Sequence, residues 1–259
     1  MNNVVCIYSV FLDIDGTLIT EDERGPFDDD LAGIEKARQK GTTFFLCTGR
    51  SVAQIPGVLA KATWYDGIVA AGGAHIIVAG KTLYHNWIPI DVLCEIAGLF
   101  LTNSRKCSFR GDTYTYVVNQ NAAAGNGGKL PVTSVHDFER LYPDAKVSML
   151  TVDHSIGNEE RTFLEKYFDM YYQIPHLDCF IKGEGKAKGM KLILDSFGLE
   201  LKHSVAVGDS SNDMDIIQYA GTGIAVGNAC AALKEKASWI SAAVGEGAVV
   251  KALEYLNLC

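Results

Sequence analysis

The sequence predicts an α/β protein whose parallel-sheet core is assembled from both ends of the chain and interrupted by an inserted α+β domain. Three observations carry this. Apolar strand-like runs alternate with helix-period segments at both ends. The rhythm becomes less regular from about Trp87 and returns after Gly185. Two strands from opposite ends run into acidic loops, Asp13-Ile14-Asp15-Gly16-Thr17 and Gly208-Asp209-Ser210-Ser211-Asn212-Asp213.

The first strand reads from near Val4 to Leu12. The core of a parallel sheet is apolar on both faces, so carboxylates at a strand's end sit where open α/β sheets bind ligands. Gly16 lets the chain turn so that Asp13 and Asp15 share one crevice, and a cation would relieve their repulsion. The alternative is an Asp-Gly turn closing a hairpin. Asp28-Asp29-Asp30 then opens a helix through Leu31, Ile34 and Ala37, which Gly41 closes. A strand over 42–46 ends in Cys47-Thr48-Gly49-Arg50, and Pro56 interrupts the helical pattern of Val52, Ile55 and Leu59. A buried strand over 67–70 precedes Gly72-Gly73 and a hairpin around Ala79-Gly80.

In the middle block the pattern predicts a helix over 92–101, extended segments at 107–109 and 114–118, and a loop over 119–128. A strand over 146–152, a helix over 159–168 and a strand pair at 171–174 and 178–181 follow. Helices over 190–197, 214–219 and 246–256 and strands over 204–207 and 223–226 complete the core. The expected division is a discontinuous core, 1–85 and 184–259, around an inserted domain, 86–183.

A net charge of -8 over 259 residues argues against a nucleic-acid or anionic-membrane surface, and leaves a small phosphorylated ligand if local cations offset the acids. Seven scattered cysteines with no C-x-x-C pair suit reduced thiols and a cytoplasmic setting. The early Asp13 and Asp15 leave no pattern for a signal peptide or membrane span.

Thr48 and the Gly49 N–H, just past the second strand, suit an anionic oxygen, although Thr48 and Ser51 also suit a helix cap. Lys188-Gly189 opens the helix after the insert and offers a cation, with Lys182, Lys186 and Lys191 as competitors and a solvated lysine as the alternative. Asp13 with Asp209 supplies the one or two carboxylates that Mg²⁺ typically takes. A Ser/Asp/Asn cap on the helix at Met214 explains one polar residue of that second loop, not the group.

The ordered set Asp13-x-Asp15-Gly-Thr, Thr48-Gly-Arg50, Lys188-Gly189 and Gly208-Asp209-x-x-Asn212-Asp213 resembles the haloacid dehalogenase (HAD) superfamily and spans the chain. The insert between the Thr48 and Lys188 pieces, with Ala225-Val226-Gly227-Asn228-Ala229 and Leu233-Lys234, is similar to Cof-type (subfamily IIB) phosphatases with a C2 cap. The resemblance implies a Rossmann-like core, a C2-type cap and Mg²⁺-dependent hydrolysis of a small phosphorylated metabolite, a sugar phosphate or phosphorylated cofactor. By matching position, Asp13 would form an aspartyl phosphate, and Asp15 would protonate the leaving oxygen and then activate water. Thr48, Gly49 and Lys188 would hold phosphoryl oxygens. Asp13, the Asp15 carbonyl and Asp209 would ligate magnesium, with Asn212 and Asp213 supporting the phosphate, the lysine or the ion. Arg50 would contact substrate or form a surface salt bridge. Gly72-Gly73-Ala74 departs from the Asn-Gly-Ala of many relatives. A hexose phosphomutase uses the same aspartyl phosphate and is the nearest rival; a phosphorylatable receiver-like signalling protein is the rival from another class.

Overall fold

The computed structural model describes residues 7–20, 22, 25–120, 128–173 and 176–259. The expected strand start at 4–6, most of the expected loop over 119–128 and residue 174 of the expected strand pair therefore lie outside the described residues.

In chain order the elements begin with β1 (Ser9–Leu12), α1 (Asp28–Gln39), β2 (Thr43–Cys47), α2 (Gly57–Ala60), β3 (Gly67–Ala70), β4 (His75–Val78) and β5 (Lys81–His85). Next come α3 (Ile90–Thr102), β6 (Cys107–Gly111), β7 (Thr115–Val118), β8 (Lys129–Val132), α4 (Asp137–Arg140), β9 (Val147–Asp153), α5 (Asn158–Leu164), β10 (Phe168–Gln173) and β11 (His176–Ile181). The chain closes with α6 (Lys186–Phe197), β12 (Ser204–Gly208), α7 (Met214–Tyr219), β13 (Thr222–Ala225), α8 (Ala231–Lys234), β14 (Trp239–Ile240) and α9 (Ala248–Tyr255).

The eight-stranded sheet runs β14-β13-β12-β1-β2-β3-β4-β5. Its strands from β14 to β3 are parallel, and β4 turns antiparallel to β3. Strand β1 is central because every residue in Ser9–Leu12 is buried, as two covered faces require. Phe11 stacks on Phe45 of β2 with ring centroids 4.9 Å apart. β1 has β2 on one side and β12 on the other, so the strand order reverses there, which places the carboxyl ends of all three at a topological switch point.

The second sheet, β10-β11-β9-β6-β7-β8, buries one face beneath α3, α4 and α5 around Phe100, Phe109, Phe138 and Leu150. The chain divides into one unit of Met1–Thr48, Pro56–Leu83 and Gly185–Cys259 and another of Gly49–Ile55 and Tyr84–Glu184. The segment Gly49–Ile55, expected with the core, groups with the second unit because its 3-10 turn Val52–Gln54 packs on β6. Pro56 does interrupt the expected helix: that turn stops at Gln54 and the four-residue α2 starts at Gly57. Sequence pattern missed β8, α4, α8 and β14, each four residues or fewer, too short for a period to show. Among the described residues no helix is long and apolar enough to cross a membrane. The six described cysteines are free.

Candidate active site

The site is built from strand ends of the first unit. Parallel pairing sets Leu12 against Val207, so the residues after them emerge side by side, tied by an Asp13 N–H to Val207 carbonyl bond of 2.9 Å. Beyond Asp13 the chain loops tightly. Leu18 and Ile19 N–H both donate to the Ile14 carbonyl, and Gly16 N–H donates to the Ile19 carbonyl. Gly16 takes φ +78°, a backbone conformation that favours glycine, and a Cβ there would lie 2.4 Å from Asp209 Oδ2 and push that carboxylate aside. This turn leaves Asp13 buried and Asp15 exposed.

Three carboxylates converge. Asp13, Asp209 and Asp213 offer oxygens that all lie within 4.8 Å of one another. Among them reaches the ammonium of Lys186, 1% exposed, 2.7 Å from Asp13 Oδ1 and 2.5 Å from Asp213 Oδ1. It also donates to Asn212 Oδ1 at 3.2 Å. Burial opposes the charge on Lys186, but Asp13 and Asp213 outweigh it and hold its pKa well above the ordinary lysine value. Asp13 is pushed well above the carboxylate range by burial and then by Asp213, against the pull of Lys186. Burial and Asp213 push Asp209 up to about 7. One ammonium thus faces three acids, leaving a demand for more positive charge.

Asp213 has little left to offer a metal. Its Oδ2 accepts the N–H groups of Asp209 and Ser210 at 3.0 and 3.1 Å, while Oδ1 holds Lys186. It is a strut, closing the capping box of the 3-10 turn Ser211–Asp213 with Ser210 and supporting the lysine, while the helix at Met214 has no side-chain cap of its own. Asp209 differs, since its Oδ1 is buried with no hydrogen-bond partner. A buried, unsatisfied carboxylate oxygen beside Asp13 fits a hard divalent cation, which takes oxygen ligands.

The lysine assignment needs correction. The residue that reaches Asp13 is Lys186, one of the competitors, and not Lys188. Helix α6 begins at Lys186, four residues before the predicted start at 190, and a helix turns ~100° per residue, so two positions 186 and 188 point ~200° apart. Only one can face Asp13, and Lys188 is the partly exposed one. The sequence marks Gly185 as the boundary of the insert, but its pattern predicts the helix only from 190, whereas Gly185 releases the chain directly into it.

Thr48 is buried one residue past β2, with its N–H on the Val69 carbonyl at 2.8 Å and its carbonyl accepting Gly72 N–H at 3.1 Å. Gly49 and Arg50 fall in the second unit, where Arg50 donates to the Gln54 carbonyl at 2.9 Å. Sequence reading also gave no role to Asn228. Its Nδ2 donates to the Gly16 carbonyl and its Oδ1 accepts Val244 N–H, both at 2.8 Å, which pins the acidic loop.

Residues 10–253 match the family model for haloacid dehalogenase-like hydrolases. The chain is 27% identical to a 5-amino-6-(5-phospho-D-ribitylamino)uracil phosphatase of Bacillus subtilis, over 97% of this chain and 98% of that one. It is also 27% identical to a phosphoglycolate phosphatase of Methanosarcina acetivorans, covering 96% of each. The solved structure of a HAD subclass IIB sugar phosphatase superposes with a TM-score of 0.82 at 25% identity, over 97% of this chain and 100% of that one.

Proposed function

The chain belongs to the haloacid dehalogenase-like hydrolases, as a phosphoric monoester hydrolase of the Cof-type IIB group, and we propose that it dephosphorylates a small sugar- or polyol-bearing phosphate ester. The reading includes Mg²⁺ as cofactor and a phosphoryl-aspartate at Asp13. The observation that carries it is the Lys186 ammonium bridging Asp13 and Asp213 beside Asp209. The sugar phosphatase neighbour and the ribityl substrate in the name of the Bacillus relative support the substrate class.

An anionic carboxylate approaches an anionic ester only if charge is neutralised at the reacting atoms. Lys186 holds Asp13 in place through Oδ1 and presents its positive charge to the phosphoryl oxygens. Asn212 already spends its Oδ1 on Lys186 and Ser210, which leaves its Nδ2 as a donor for a phosphoryl oxygen. Thr48, at the end of the adjacent strand, offers its hydroxyl to another. Asp15 lies outward on the same loop, exposed, where it gives a proton to the departing alkoxide and takes one from the water that cleaves the acyl phosphate. Asp13, Asp209 and the Asp15 carbonyl would hold Mg²⁺, which when bound supplies further charge neutralisation. Arg50, two residues past Thr48, is proposed to contact the substrate, and Gly49 N–H to assist the phosphate.

Phosphate release from sugar phosphates, nucleotides, flavin mononucleotide and pyridoxal phosphate, with Mg²⁺, tests the proposal. Turnover is expected to be highest on a sugar or ribityl ester and to vanish in Asp13→Asn. Isomerisation of a hexose phosphate without free phosphate, or a long-lived phosphoprotein without turnover, would replace this reading with the mutase or receiver one.

A further inference from the structure

Helix α6 places Lys186 at its first position, yet it starts without a side-chain cap: the residue before it is Gly185, in extended backbone at φ −175°. An uncapped helix start leaves N–H groups that need acceptors. Ala187 N–H finds one in Asp215 Oδ2 at 3.0 Å, a carboxylate from α7, whose Oδ1 accepts Ile216 N–H at 2.7 Å. Its negative charge also sits at the positive end of the α6 dipole. The fit around that start is close. A Cβ on Gly185 would lie 2.5 Å from Asp215 Oδ2, and one on Gly73 would lie 2.1 Å from the Gly185 carbonyl oxygen. The start of α6 is thereby pinned between an α7 carboxylate and the backbone that follows β3.

We propose that Asp215 is a positioning residue for the reaction: through Ala187 it fixes the start of α6 and so the reach of Lys186 to Asp13. The same short segment then holds Lys186 twice, Asp213 taking the ammonium and Asp215 the backbone that carries it. The role of Lys186 in catalysis rests on the phosphatase reading; its placement by Asp215 does not.

Three variants separate positioning from mere stability. Asp215→Ala removes the acceptor. Gly185→Ala keeps the charge but drives its Cβ into the mobile end of the Asp215 side chain, turning the carboxylate off Ala187. Asp215→Asn keeps an acceptor oxygen for the same N–H. Each is followed by amide exchange at Ala187, by the ¹⁵N resonance of the Lys186 ammonium, and by kcat and the Mg²⁺ concentration for half-activation. The first two variants are expected to lose Ala187 protection and the sharp ammonium signal. They should also lower kcat about 10- to 100-fold, the scale of a roughly 1 Å misplacement, with Mg²⁺ half-activation within about twofold. Asp215→Asn restores all three readouts. An unchanged ammonium signal and unchanged kcat in folded Asp215→Ala or Gly185→Ala would overturn the proposal, as would an Asp215→Asn variant as impaired as Asp215→Ala. If the wild type releases phosphate from no ester, the function falls, and the ammonium and amide signals still decide the positioning.

Discussion

Two helices of the first unit begin alike and serve different ends. Both α6 and α9 follow a glycine, Gly185 or Gly247, with no side-chain cap of their own, and both borrow a carboxylate from another helix. Asp215 of α7 accepts Ala187 N–H of α6; Asp30 of α1 accepts Val249 and Val250 N–H of α9, at 2.9 and 2.8 Å. Asp30 is fully buried and joins the two ends of the chain, where Gly33 lets α1 approach Val250 so closely that a Cβ would meet it at 2.7 Å. The first residues of α9, Ala248 and Val249, end in core. The first residue of α6 ends in an ammonium among carboxylates. One device therefore closes the scaffold in one place and, on the proposed reading, aims a catalytic charge in the other, and what the helix start carries decides which.

The largest expected effect lies at the end that carries chemistry. Replacing Lys186 by Met should cost kcat about 10²- to 10³-fold, the scale of losing one preorganised charge-stabilising donor, measured by phosphate release at saturating Mg²⁺. Retained activity would reduce α6 to a second α9.

Next is the pH dependence of the metal-free protein. Asp209 titrates near 7 when folded against an ordinary value of 3.8, and Asp13 is shifted in the same direction. Between about 4 and about 7 the folded state then holds protons that the unfolded state has released, so stability falls as pH rises through that window. Melting in EDTA should show this decline, Asp209→Asn should flatten it, and Mg²⁺ should raise Tm most at the upper end. A flat EDTA profile would contradict the crowding of acids at the site.

A smaller effect is expected at α9. Asp30→Ala should lower unfolding stability by about 1 kcal/mol, typical of a lost cap, with kcat unchanged in the folded fraction. A fall in kcat there would erase the contrast with Asp215. The smallest effect belongs to Lys188→Ala, expected to change kcat less than about threefold, because that side chain points away from the one that holds Asp13.

The acidic loops of the site were legible because each is a local signal, an apolar run ending in carboxylates. Asp13 and Asp209 follow apolar runs, and parallel pairing of β1 with β12 is enough to bring them together. Short elements and long-range partners were not legible. The choice between Lys186 and Lys188 turned on where a helix begins, and no apolar period marks its first turn. The borrowed caps were hidden for a related reason. Asp30 reads as one of three acids that open its own helix, and Asp215 likewise lies in the first turn of its helix, while the α9 and α6 N–H groups they accept lie elsewhere in the chain. Asn228 was visible as part of a motif, but its grip on the Gly16 carbonyl depends on tertiary approach alone.

On the proposed mechanism, the carboxylate steadied by Lys186 becomes the phosphorylated group. Acid quenching during turnover of a good substrate, borohydride reduction and peptide mass spectrometry test it directly, since reduction of an aspartyl phosphate leaves homoserine. Homoserine is expected at Asp13 and absent in Asp13→Asn; homoserine at another aspartate, or full turnover by Asp13→Asn, would rule out Asp13 as the phosphorylated group.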